Sequence, residues 1–137
     1  VQYTGPIVIL TSDFTASAAE VFLLLVKDLP NVTIIGDNTE GIFSDMYEFK
    51  LPNKWQVSLS HQQYLSKDKM NYEGIGIAPD ILIVNRREDL EGRYDPVLKE
   101  AINYLRNKLI VDKKRGVRGI VLVYTSHSSF FTLVYLL

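Results

Sequence analysis

Ser17 stands in the run Thr11-Ser12-Asp13-Phe14-Thr15-Ala16-Ser17-Ala18-Ala19-Glu20, where an apolar, β-branched stretch gives way to a long apolar, helix-forming one. A serine at such a turn has its hydroxyl lifted to the C-terminal edge of a sheet. The adjoining helix N-terminus offers free N–H groups and the positive end of a dipole. That combination suits nucleophilic acyl transfer, with the N–H of Ala18 holding the oxyanion. Ala16, Ala18 and Ala19 are small enough to leave room for a substrate backbone. The same residues, Ser17 to Glu20, also spell an S-x-x-E capping box, in which the hydroxyl only satisfies helix N–H groups. Capping is the commoner use of that pattern, and the run by itself admits both readings.

A serine nucleophile needs a base, and the supply is short. There are 2 histidines and no cysteine. Disulfides, thiol nucleophiles, thiolate metal sites and a His-rich metal site are therefore excluded. His61 follows Val57-Ser58-Leu59-Ser60 and reads as a histidine held on or just after a strand. Lys27 and Lys50 read as solvated surface, and Asp13, Asp37 and Asp45 as solvated loop acids. Gly36 to Gly41 lacks the Lys-Ser/Thr ending of a phosphate loop, and Gly74-x-Gly76 precedes a strand where a dinucleotide site needs a helix. Tyr47, Phe49, Trp55 and Tyr64 read as core or hairpin aromatics. No cofactor or metal is expected.

The elements that must position these residues follow from periodicity. Pro6 to Thr11 is a continuous apolar run, which predicts a strand covered on both faces. The stretch from Ser17 to Leu29 is apolar nearly all round and predicts a buried helix ended before Pro30-Asn31. Val32 to Ile35 predicts a second buried strand closing at Gly36. Strand, helix and strand with short joints imply a βαβ crossover. Met46 to Leu51 and Gln56 to Tyr64 read as a hairpin turning at Pro52-Asn53-Lys54. Asp80 to Val84 reads as another buried strand. Asp95-Pro96 starts a helix with proline at its first position, and Val97, Leu98, Ala101, Ile102, Leu105 and Leu109 give it one apolar face.

With 137 residues, 47% hydrophobic and 23% charged, the chain can bury one core. Its net charge of −1 does not suggest nucleic acid as a partner. Near the end Lys113, Lys114, Arg115 and Arg118 form a basic cluster, followed by a mostly apolar segment from Ile120 to Leu137. Thr125-Ser126-His127-Ser128-Ser129 interrupts that segment and makes it a poor membrane span. A pair of strands, or a tail outside the ancestral domain, is the expectation there.

Taken in order, several segments resemble one family. They are T-A-S-A-A-E opening a helix, Gly36-Asp37-Asn38-Thr39-Glu40-Gly41 after the next strand, and a hairpin around Leu51-Pro52-Asn53. Then come Glu73-Gly74-Ile75-Gly76-Ile77-Ala78-Pro79-Asp80 leading into a strand, and Asp95-Pro96-Val97-Leu98 opening the last helix. The order is similar to the catalytic core of the tail-specific (C-terminal processing) serine peptidases, the tricorn core and the interphotoreceptor retinoid-binding repeats. The resemblance implies an α/β fold with a crotonase-like βαβ core, an added β-hairpin and a C-terminal amphipathic helix. It places residues 1–109 in the C-terminal part of a catalytic domain and leaves 110–137 as a basic, then apolar tail. By resemblance Ser17 is the nucleophile and Ala18 supplies the oxyanion N–H. The processing branch carries its lysine base where this chain has Ile42, so a lysine-activated mechanism is not expected. The tricorn-like branch uses a histidine from an upstream segment and a glutamate that Glu73 matches; Glu73 would orient that base, which lies outside this chain. The implied partner is a polypeptide substrate, and the implied setting is the cell envelope or periplasm. The rival implication is a relative that keeps the fold and binds peptides or apolar ligands without hydrolysis.

Overall fold

The computed structural model describes residues 3–92, 94–111, 119–124 and 131–136. The basic cluster at Lys113 to Arg115 and Arg118, and the polar run at Thr125 to Ser129, lie outside the described residues.

The first apolar run forms β1 (Ile7–Thr11), followed by α1 (Ala18–Val26) and β2 (Val32–Gly36). β1 and β2 pair in parallel from Ile7 opposite Val32 to Thr11 opposite Gly36. Alternation along a strand sends successive side chains to opposite faces, and both faces of this pair are covered. Val8, Leu10 and Ile35 pack with Val97, Ala101 and Leu105 of α3 (Pro96–Val111). Ile9, Val32 and Ile34 pack on the other side with Leu23 of α1, Phe43 and Ile77. The sheet is thus the middle layer between α1 and α3. Each fully buried side chain of this size contributes roughly 1.5–3 kcal/mol.

The helix start read at Asp95-Pro96 is present. The Asp95 carboxylate accepts the N–H of Leu98 at 2.9 Å, and Pro96 is the first helical residue. α1 differs from its reading. Only Ala19, Glu20 and Leu23 are fully buried; Val21, Phe22, Leu24 and Val26 are partly buried, and Leu25 is 75% exposed. The strand read over Asp80–Val84 shortens to β5 (Ile81–Leu82), with Leu82 and Val84 exposed. The Asp80 side chain takes part of the missing pairing: its carboxylate accepts the Ile34 N–H at 2.8 Å while its own N–H donates to the Ile34 carbonyl at 2.9 Å. A short helix α2 (Arg87–Glu91) intervenes before α3.

The complete sheet runs β5-β2-β1-β6-β7, where β6 is Ile120–Tyr124 and β7 is Phe131–Leu136. β6 pairs in parallel with β1 on the edge opposite β2, and β7 is antiparallel to β6. β3 (Met46–Lys50) and β4 (Gln56–Ser60) make a separate antiparallel ribbon with Tyr47 opposite Leu59 and Phe49 opposite Val57. Among the described residues, no helix is long and apolar enough to cross a membrane.

Candidate active site

The turn between β1 and α1 is tightly built. The N–H of Ser12 donates to the Thr15 hydroxyl at 3.0 Å, and the N–H of Thr15 donates back to the Ser12 carbonyl at 2.9 Å. The Thr15 carbonyl in turn accepts the Glu40 N–H at 2.9 Å. Ser17 follows with φ 55° and ψ −126°, a conformation that residues with a Cβ rarely take. Such backbone strain, of order 1–3 kcal/mol, persists only where surroundings hold it. Here the Ser17 N–H donates to the Ile42 carbonyl at 2.7 Å, and its carbonyl accepts the Val21 N–H at 3.1 Å.

Ser17 occupies the cap position of α1, yet its side chain makes no capping hydrogen bond and the residue is exposed. The capping box is therefore not formed. The Ala18 N–H, next in the chain, donates to no partner among the described residues. A hydroxyl uncommitted to its own helix, beside a free backbone donor, leaves both groups available to a bound carbonyl.

Glu20, the other half of the apparent capping box, points its function elsewhere. It is completely buried. One carboxylate oxygen accepts the Thr39 hydroxyl and the Gly41 N–H (2.7 Å), and the other accepts the Ile42 N–H at 2.8 Å. Sequence reasoning missed this role. Its partners lie 19 to 22 residues downstream, beyond any local pattern. The one available signal was that Glu20 is the only polar residue in α1.

Glu73 holds the other half of the same loop. Its Oε2 accepts the N–H groups of Phe43 (3.0 Å) and Ser44 (3.2 Å), while Oε1 has no partner among the described residues. Four successive N–H groups, from Gly41 to Ser44, are thus divided between two carboxylates. The loop is clamped further by Gly74 N–H on the Gly41 carbonyl at 2.7 Å and by Thr39 N–H on the Ile77 carbonyl at 3.1 Å. Gly76 makes this closeness possible: at φ 78°, a Cβ there would lie 2.0 Å from the Thr39 carbonyl oxygen.

The remaining candidates separate cleanly. Ile42 is half-exposed beside the Ser17 backbone and carries no titratable group. His61 is exposed, with Nδ1 3.0 Å from the Asp45 carbonyl, its N–H on the Ser44 hydroxyl at 3.1 Å, and its ring edge-on to Tyr47. Lys27 is less solvated than expected. Its ammonium group bonds Asp28 at 3.0 Å and lies 5.8 Å from the Tyr72 ring centre; the Asp28 hydrogen bond holds its pKa above the ordinary lysine value. Ten residues of helix rise, about 15 Å, separate it from Ser17. A cavity of about 430 Å³ opens at the C-terminal ends of β1 and β2, lined by Ser12, Asp13, Phe14, Asp37, Asn85 and Arg87 among others; Ser17 does not line it. Among the described residues, no three His, Asp or Glu side chains are grouped as a metal site.

A model of peptidase family S41 matches residues 1–83, more than half of the chain. The chain belongs to that family. Its similarity to individual family-related proteins is moderate and partial. A carboxy-terminal-processing protease of Bartonella bacilliformis is 28% identical over 118 residues, covering 85% of this chain and 27% of the relative. The structure of a candidate peptidase from Parabacteroides merdae matches with a TM-score of 0.65 and 33% identity, over 73% of this chain and 31% of that one. The tricorn protease shares the fold, with a TM-score of 0.67 and 23% identity over 77% of this chain and 11% of its own. The chain thus spans about a quarter of the curated relative and about a third or less of the two structures.

Proposed function

We propose that this chain carries the nucleophile of a serine endopeptidase or carboxy-terminal processing peptidase, on a crotonase-like βαβ core. Ser17 Oγ attacks the carbonyl carbon of a peptide bond. Its proton passes to a base outside this chain, a histidine by family resemblance. The oxyanion that forms accepts the Ala18 N–H. Collapse breaks the C–N bond, the base returns the proton to the leaving amine, and water then cleaves the acyl ester by the same route in reverse. Glu73, fixed through Oε2, uses Oε1 to orient the base network. No metal or cofactor takes part, and the substrate is a polypeptide.

The observation that carries this reading is the strained, uncapped Ser17 beside an Ala18 N–H with no partner among the described residues. Its test is labelling of the complete protein with a fluorophosphonate probe. Stoichiometric labelling that disappears in Ser17→Ala is the expected result. Equal labelling of the variant sinks the assignment.

A further inference from the structure

The reading of Ser17 as nucleophile leaves unexplained why the helix behind it contains a buried acid. A carboxylate removed from water is destabilised strongly unless its oxygens are fully hydrogen-bonded. Glu20 is completely buried and obtains three donors, all from residues 39–42 and none from its own helix turn. The first of these, the Thr39 hydroxyl, also accepts the Ile77 N–H at 2.7 Å, which ties the segment after Glu73 into the same assembly.

The result is a closed ring. From Ser17 the chain runs three residues to Glu20; the Glu20 carboxylate fixes the Gly41 and Ile42 amides; the Ile42 carbonyl then takes the Ser17 N–H at 2.7 Å. We propose that Glu20 is a positioning residue for the nucleophile, acting through the 41–42 peptide. The inference rests on the reading of Ser17 above. Glu20 touches neither Ser17 nor a substrate. It holds the one acceptor that pins the Ser17 amide, and so maintains the φ 55° backbone. It also removes the Ser17 N–H from the set of donors that could rotate toward the oxyanion, leaving the Ala18 N–H in a fixed relation to Ser17 Oγ.

Glu20→Gln in the complete protein is the test, because it keeps size and replaces one acceptor oxygen with a donor that faces N–H or O–H groups. The labelling rate and kcat are expected to fall by up to about 10²-fold, as a small misplacement of a reacting group does, with KM near wild type. Hydrogen exchange at the Ser17 amide, which does not touch Glu20, is expected to accelerate at least about tenfold while amides of β1 and β2 keep their protection. A purely structural acid would lower stability without moving either readout in the folded protein. Unchanged Ser17 exchange, or wild-type labelling by the folded variant, overturns the inference. If Glu20→Gln does not fold, Thr39→Val removes one of the three donors; it is expected to shift both readouts in the same direction by less, and wild-type values there overturn the inference. Absence of labelling in the wild type would remove the nucleophile reading, whereas the Ser17 exchange result would still decide whether Glu20 fixes that backbone.

Discussion

The amide of Ser17 is spent on the carbonyl of Ile42, 2.7 Å away, and the amide of Ala18 is spent on nothing among the described residues. Adjacent peptide groups at one helix start are thus assigned opposite states. The first anchors the turn, and the second is left as the donor that the proposed mechanism assigns to the oxyanion.

Because Ser17 adopts a positive φ and caps nothing, its side chain should oppose stability. Ser17→Gly is expected to raise unfolding stability by about 1 kcal/mol and to abolish turnover. Ser17→Ala is expected to stay within about 0.5 kcal/mol of wild type. Urea denaturation checks both. A loss of about 1 kcal/mol in the alanine variant would instead mark a helix cap.

Glu73→Gln should leave the 41–44 loop intact, since a single side-chain oxygen serves both Phe43 and Ser44 and the amide retains one. The charge, however, is gone. We expect kcat/KM to drop about 10²-fold with an unchanged circular dichroism spectrum, less than the roughly 10⁴ lost with the carboxylate of a serine triad. A folded variant with wild-type kinetics removes Glu73 from the mechanism.

His61 makes its hydrogen bonds to Asp45 and Ser44, and its position serves the hairpin. His61→Gln is therefore expected to keep kcat/KM within about a factor of two of wild type. Loss of activity in steady-state assays, with the fold intact, would make His61 the base.

The two glycines of the 74–76 turn should respond very differently to a methyl group. Gly76→Ala places Cβ 2.0 Å from the Thr39 carbonyl oxygen, whereas nothing lies within 4 Å of a Cβ at Gly74. Gly74→Ala is expected to cost about 1–2 kcal/mol, from its positive φ alone. Gly76→Ala should exceed that by at least about 2 kcal/mol, or prevent folding. Denaturant midpoints of the pair decide it; equal losses would mean that the close approach to Thr39 relaxes freely.

The central layer was legible in the sequence because its signals are local. β1 and β2 are continuous apolar runs, and Asp95-Pro96 carries its own cap chemistry. What escaped either depended on distant partners or carried no apolar period. β5 is short because Asp80 substitutes side-chain oxygen for strand pairing, and Ile81–Leu82 alone complete the edge. α2 has no apolar period; Asp89 starts it by accepting the Arg86 N–H at 3.0 Å. At the candidate site, the strand-to-helix turn at Ser17 was visible, whereas Glu73 stood out only through the family resemblance, and its hold on the Phe43 and Ser44 amides was not foreseen. Glu20 was hidden inside a plausible capping box, because neighbouring letters cannot show that a carboxylate turns away from its own helix toward a loop 19 residues on.

The β3–β4 ribbon lies apart from the sheet, and nine of its ten residues are exposed, Tyr47 at 60% and Leu59 at 55%. An isolated two-stranded ribbon is marginal in water by itself. It is therefore expected to open as a unit of its own while the β1–β2 layer stays shut, at a free energy below that of unfolding the whole chain. In practice the Pro52–Trp55 tip and its flanking strands are where an added protease should make its first cut.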